Sequence, residues 1–319
     1  MRYKCRRMST FAFVLRRLFG AIPTLLLVIA LSFLLTRLAP GGPFDEEQSL
    51  PPEIRANLEA AYGLDDPALV QFGRYLRGLL QGDFGPSFKF RDFTVGELIA
   101  DGLPVSLGLG AGAMLLALAL GIPAGVLAAL SRRGPADRLV MAFAVLGISI
   151  PVFVVAPLLT LVFGLWLGWL PVAGWLPGRP SDVLLPVVAL AIPVIAFIAR
   201  LMRGSLLEVL RAPWVRAARA RGLGEGAVIM RHALPAALLP VISYAGPAAA
   251  AVLAGSLVVE TYFGLPGMGR HLVQGALNRD YTLVMGMVIV YAALMIAFNL
   301  LADLAYAGLD PRIRRERKR

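Results

Sequence analysis

The sequence predicts an all-α membrane protein with six transmembrane helices. Three observations carry that expectation. The chain is 58% hydrophobic and only 16% charged over 319 residues, with a mean hydropathy of +0.74, far from a soluble average. Six segments reach the roughly 20 apolar residues that a bilayer-crossing helix needs. The basic residues gather at the ends of those segments instead of spreading over a soluble surface.

The six expected spans are 18–38, 105–130, 139–167, 185–202, 238–259 and 283–305. The first follows a basic tail. A cleaved signal peptide would also begin this way, but the apolar run is long and leads into TRLAPGG, not a small-x-small cleavage site, so it reads as an anchor. Phe13-Val14-Leu15-Arg16-Arg17 reads as a short amphipathic entry on the membrane surface. The third expected span is long and carries Pro151 and Pro157, which predict kinks repaired by neighbouring helices. Pro23, Pro123 and Pro193 lie in other spans, as suits helices that move past one another.

Charge orients the spans. Four segments, 1–17, 131–138, 200–231 and the C-terminal tail, carry 22 of the 31 basic residues. The loop 40–103 holds eleven acidic and five basic residues. Short loops rich in Arg and Lys stay in the cytoplasm, so both termini are expected there. The net charge of +11 would suit a nucleic-acid binder, but its placement suits a membrane, and no nucleic-acid partner is expected. The single cysteine, Cys5, excludes an internal disulfide and a cysteine-based metal site. None of the three lysines follows a glycine as a P-loop requires. The two histidines, His232 and His271, form no HExxH pair and fall on opposite sides of the membrane in this topology. No catalytic residues, cofactor or metal are expected, and ATP hydrolysis, if used, belongs to a partner.

The most specific stretch is 214–240, WVRAARARGLGEGAVIMRHALPAALLP, an arginine-rich island between two apolar runs. Pro213 is placed to open a helix and Gly222-Leu223-Gly224 to close one. Two short helices follow, over 213–221 and 225–233, with Ala217 and Ala218 small enough for close approach. Gly222 is expected in a backbone conformation that side chains disfavour. The bland reading is that these arginines only enforce topology.

Residue by residue, the island resembles the "EAA" signature of ABC-importer permeases. Ala217-Ala218, Gly222, Ala233 and Leu234-Pro235 match it, while Arg216 and His232 replace its usual Glu and Ile. The V-R-x-A-R-A-x-G frame is similar to the peptide/nickel branch. So are Ser149-Ile150-Pro151-Val152-Phe153, Leu185-Pro186, Arg200, Arg203 and Ser205, and the RLxPGGP and GDFGPS stretches. ETYFGLPGMGRHL from Glu260 and the closing Asn299, Asp303, Tyr306, Leu309-Asp310-Pro311-Arg312 also resemble that branch.

The resemblance implies a type I ABC-importer (MetI-like) permease fold. It implies an N-terminal addition over 1–102, a five-helix permease domain over 103–306 with its loop at 204–237, and a basic tail over 307–319. It further implies a second, homologous permease, two ABC ATPase subunits and an extracytoplasmic substrate-binding protein, assembled in a bacterial cytoplasmic membrane and its lipid. Trp214, Arg216, Ala217, Ala218, Gly222, Leu223, Gly224, Leu234 and Pro235 would form the ATPase-coupling loop. Glu260, an ionisable residue at the end of a span, with Phe263, Pro266, Gly267 and Gly269, is a candidate gate or substrate path, against a purely structural alternative. Peptides are the expected cargo, with nickel and glutathione as alternatives. A secondary transporter or channel is the alternative class; it predicts midplane ion pairs or inverted repeats, and the span centres hold almost no charges.

Overall fold

The computed structural model describes residues 10–38, 66–90 and 92–309. Most of the acidic loop, the RLxPGGP stretch beyond Leu38 and the charged parts of both tails lie outside the described residues. The described chain is helical, with a single isolated bridge between Pro86 and Thr94.

Among the described residues twelve α-helices follow in order: α1 (Thr10–Leu38), α2 (Ala68–Leu80), α3 (Val95–Leu130), α4 (Pro135–Ser149), α5 (Val152–Leu159), α6 (Ser181–Val209), α7 (Pro213–Ala220), α8 (Glu225–Val228), α9 (Leu234–Ala237), α10 (Leu239–Phe263), α11 (Met268–Leu277) and α12 (Tyr281–Leu309). π-turns continue α5 over Thr160–Trp166 and join α8 to α9 over Ile229–Ala233. Five helices, α1, α3, α6, α10 and α12, are each long and apolar enough to cross a membrane unaided.

The expected third span is different. It is two helices, Pro135–Ser149 and Val152–Trp166, that meet at 109°. Pro151 cannot donate a backbone hydrogen bond, and it forces Ile150 into extended geometry (φ −89°, ψ 120°). The expected kink is therefore a break at Pro151. Pro157 is held inside α5, and its missing N–H is followed by the π-turn, where the Thr160 hydroxyl donates to the Ala156 carbonyl at 3.1 Å.

The chain divides into two compact units. The first comprises Met1–Leu15, Leu107–Leu265 and Leu294–Arg319, and the second Arg16–Ser106 and Pro266–Ala293. In the first unit α6 is the central helix: 61% of its apolar window is buried, against 33% for α10. Helices α4, α5, α9 and α10 all pack on it. Lipid tails supply no hydrophobic drive between helices, so close backbone approach must hold them. A Cβ on Gly125 of α3 would stand 2.5 Å from the Ala199 carbonyl oxygen and 2.6 Å from Met202 Cβ. One on Gly147 of α4 would meet Ala196 Cβ at 2.9 Å.

In the second unit the GDFGPS stretch ties the loop after α2 to the start of α12. Buried Asp280 accepts the Leu283 N–H at 3.1 Å, capping α12, and accepts the Ser87 hydroxyl. The Thr282 hydroxyl donates to the Pro86 carbonyl at 2.6 Å.

These contacts separate two glycines of one helix. Gly125→Ala should destabilise the purified protein by about 1–3 kcal/mol through overpacking. Gly108→Ala, with open space around it, should be neutral or stabilising by up to about 1 kcal/mol from helix propensity. Thermal unfolding of the two variants in the same detergent checks the opposite signs.

Candidate coupling loop and gate element

The island between α6 and α10 is a helical hairpin, built by local sequence rules. Ala212 is extended (φ −65°, ψ 145°), Pro213 opens α7 where its missing N–H costs nothing, and the first hydrogen bond is Val215 N–H to Ala212 at 3.1 Å. The turn closes at Gly222, whose φ is +80°. No atom lies within 4 Å of a Cβ placed there, so glycine is required by its backbone and not by crowding. Gly224 plays another part: it is the N-cap of α8 with ordinary dihedrals (φ −61°, ψ 147°).

The second arm was expected as one helix over 225–233. It is instead α8, a π-turn and α9 in succession. Pro235 cannot bond back to the Arg231 carbonyl, and the wider π-turn at Ile229–Ala233 precedes it.

Burial divides the candidate residues. Val215, Ala218, Val228, Ala233 and Ala237 are buried and form the inner seam of the hairpin. Trp214, Arg216, Ala217, Gly222, Leu223 and Gly224 are exposed, as are Met230 and Pro235, while Leu234 is half-buried. Of the two small alanines, Ala217 faces outward and Ala218 is part of the seam. The surface so presented is an aromatic ring, a basic flank and a glycine turn with no side chain in the way.

One contact was missed by the sequence reading. Arg219 grips Glu225 across the turn, Nε donating to Oε1 at 2.7 Å and Nη2 to Oε2 at 3.1 Å. The signal was an arginine and a glutamate flanking a glycine turn. These bonds hold the Glu225 carboxyl below the usual carboxylate range and push Arg219 up. A second missed residue is Asp137, which follows the α3–α4 turn. It is buried, accepts Arg203 of α6 through both oxygens (Nη2 to Oδ2 at 2.8 Å), and accepts the Arg133 N–H at 2.9 Å. In the sequence Arg203 stands out only as one of the residues similar to the peptide/nickel branch; this bidentate pair fastens the turn to the helix from which the hairpin extends.

Of the gate candidates, Glu260, Phe263, Gly267 and Gly269 are buried and Pro266 is half-buried. Glu260 is fully buried in the last turn of α10. Its carbonyl accepts from Gly264, at φ +69°, and from Leu265 at 2.9 Å, ending the helix in a left-handed cap. Phe263 is buried, stacks edge-on against Tyr262 with ring centroids 5.0 Å apart, and its carbonyl accepts the Gly174 N–H at 2.9 Å. Pro266, Gly267 and Gly269 belong to the second unit. There Gly267 is the N-cap of α11, and Met268 N–H donates to the Ser106 hydroxyl at 2.9 Å. A Cβ on Gly102 would come within 2.8 Å of that same Met268 nitrogen. Among the described residues no three His, Cys, Asp or Glu side chains are grouped to hold a metal.

Residues 121–315 match the family described as "binding-protein-dependent transport system inner membrane component", and residues 10–110 match its N-terminal companion. The chain belongs to this family. It is therefore a multi-pass membrane protein, the permease component of a binding-protein-dependent ABC importer, whose ATPase is a separate subunit. It is 53% identical over 302 residues to the oligopeptide transport system permease protein OppB of Salmonella typhimurium, covering 95% of this chain and 99% of that one. The Escherichia coli K12 protein of the same name is 52% identical over the same shares. The dipeptide transport system permease protein DppB of Bacillus subtilis is 42% identical over 306 residues, 96% and 99% of the two chains. The inward-facing MetNI methionine ABC transporter shares the fold, with a TM-score of 0.55 at 20% identity over 66% of this chain and 96% of that one. The expected MetI-like permease fold is thereby met.

The ion pair across the hairpin turn has a defined pH dependence. Because the folded Glu225 pKa is depressed, the pair stabilises the turn above the ordinary Glu pKa and is lost as pH falls through the folded value. A carbon-detected NMR titration of Glu225 should give a midpoint below that of an unfolded peptide. Arg219→Gln should return it to the ordinary range.

Proposed function

We propose that this chain is the membrane-crossing subunit through which an ATP-driven importer passes peptides into the cell. The single observation that carries the reading is the identity of 42–53% to peptide permeases along 95–96% of the chain. The same observation favours peptides over nickel and glutathione as cargo. The chain itself binds no nucleotide; it acts as a path and a lever.

In this reading the assembly holds a second permease, two ATPases and an extracytoplasmic binding protein. Both termini and the hairpin are cytoplasmic, in accord with the placement of basic residues. The division into 1–102, 103–306 and 307–319 is part of this reading; the two matched segments, 10–110 and 121–315, likewise set an N-terminal part apart from the remainder. The exposed face of the hairpin, Trp214, Arg216, Ala217 and Gly222-Leu223-Gly224, docks on an ATPase, with the seam residue Ala218 and the base residues Leu234 and Pro235 keeping it rigid. ATP-driven closure of the ATPases moves the hairpin, and α6 and α10 carry the movement across the bilayer as a rigid-body switch. The α10–α11 turn with Glu260, Phe263, Pro266, Gly267 and Gly269 borders the path at the opposite face.

Gly222 gives the sharpest test. Gly222→Asn, which tolerates positive φ, should retain most peptide uptake. Gly222→Val, strained by roughly 1–2 kcal/mol or more at that φ, should abolish uptake and ATPase association while the permease still inserts. Normal peptide-stimulated hydrolysis by purified Gly222→Val complexes would remove the hairpin from its coupling role.

Orientation is tested apart from transport. Reporters fused after Arg133 or Arg221 should behave as cytoplasmic, and one within 51–82 as external. An external signal at Arg221 overturns the topology.

A further inference from the structure

Within the second unit, the end of α1 faces a cavity of about 250 Å³ that no candidate coupling or gate residue lines. A single water needs only ~10–15 Å³ of such space. Its polar wall has Arg37, Arg74, Tyr75 and Asp83, and its apolar wall includes Phe33 and Met285.

The polar groups differ in how they are satisfied. Arg74 is paired with Asp66. Arg37 lies with its guanidinium over the Phe33 ring at 5.6 Å and has no carboxylate partner among the described residues. The Tyr75 hydroxyl is buried with no hydrogen-bond partner among them. Burial pushes its pKa up, so it remains a donor. Asp83 Oδ1 accepts the Gly85 N–H at 2.8 Å and brings a carboxylate to the same wall. An uncompensated guanidinium and a buried phenol O–H are donors of the kind that recognise phosphate. The carboxylate opposes a purely anionic ligand and suits one that also carries an ammonium.

Depth identifies the ligand class. Arg37 lies in the last turn of a helix whose apolar window is only 6% buried, so it stands where a span leaves the hydrocarbon. Leu31, Leu34, Leu35 and Leu38 on the same helix are exposed and offer a surface for acyl chains. A free peptide or free phosphate would have no use for that surface.

We propose that this cavity binds the headgroup of an amine-bearing zwitterionic phospholipid, of the phosphatidylethanolamine type. Arg37 and Tyr75 take the phosphate, Asp83 faces the ammonium, and the exposed leucines of α1 hold the chains. The proposal rests on α1 being a membrane span; only the choice of leaflet rests on the orientation given above.

The test uses the full chain with its partner subunits in detergent, titrated with phosphatidylethanolamine or phosphatidylglycerol and read by native mass spectrometry. Phosphatidylethanolamine should be retained at lower concentration than phosphatidylglycerol. Arg37→Gln should weaken its retention about tenfold and Tyr75→Phe about threefold, from the loss of a charged or a neutral hydrogen bond. Arg132→Gln, an exposed residue outside the cavity, should change nothing. If Arg37→Gln does not assemble, Tyr75→Phe, which removes one hydroxyl, carries the test. Equal retention by unmodified and Tyr75→Phe complexes, or no preference between the two lipids, overturns the proposal. Displacement of the bound lipid by inorganic phosphate alone, or by a dipeptide, also overturns it, in favour of a small-anion or peptide site. Because lipid retention is read without transport, its failure leaves the importer reading untouched, and failed uptake leaves this site untouched.

Discussion

In the first unit α3, α4, α5, α9 and α10 all pack on α6. Its carbonyls and small side chains are approached so closely by Gly125 and Gly147 that a single methyl group has no place. In a bilayer such contact replaces the hydrophobic drive that would hold a soluble core. It has a mechanical consequence. A helix packed this tightly has little room to deform between those contacts. The hairpin begins at Pro213, four residues after α6 ends at Val209, and runs, through α8, the π-turn and α9, toward α10. The two arms of the hairpin are thus rooted in two helices that already pack on each other.

Proline governs where the other helices yield. Pro151 ends α4 and turns the chain through 109°, whereas Pro186 and Pro193 are absorbed inside α6. The difference lies in surroundings. Helix α6 is buried among neighbours that hold its course, while the α4–α5 junction has exposed Ile148 beside it. The Asp137–Arg203 pair works at the other end of α4, where it binds a turn containing Arg133 at φ 63°. A strained turn and a bidentate pair at one corner keep α4 in register with α6.

The hairpin shows the same division of labour on a small scale. Its inner seam is made of Val215, Ala218, Val228 and Ala233, and its outer face carries the exposed Trp214, Arg216, Ala217 and Leu223. Holding the turn by Gly222 and the Arg219–Glu225 pair leaves Trp214, Arg216 and Ala217 available to another surface. The cavity at the end of α1 follows a parallel rule: among the described residues Arg37 has no carboxylate partner and the Tyr75 hydroxyl no acceptor.

The membrane class, the five unbroken spans, the hairpin and the left-handed Gly222 were legible in the sequence. Each follows from a local rule: a run of apolar residues, a proline at a helix start, or a glycine where the turn needs positive φ. The family resemblance was legible for the same reason, since its motifs are short and contiguous. Tertiary structure alone decided three things. It decided that Pro151 breaks a span while Pro193 does not, because neighbouring helices determine whether a missing hydrogen bond is tolerated. It decided that Ala217 and Ala218, adjacent and identical, face opposite ways, because burial depends on the arm packed against them. It also paired Asp137 with Arg203 and Ser87 with Asp280, residues separated by 66 and 193 positions. No periodicity within a helix can anticipate such partners.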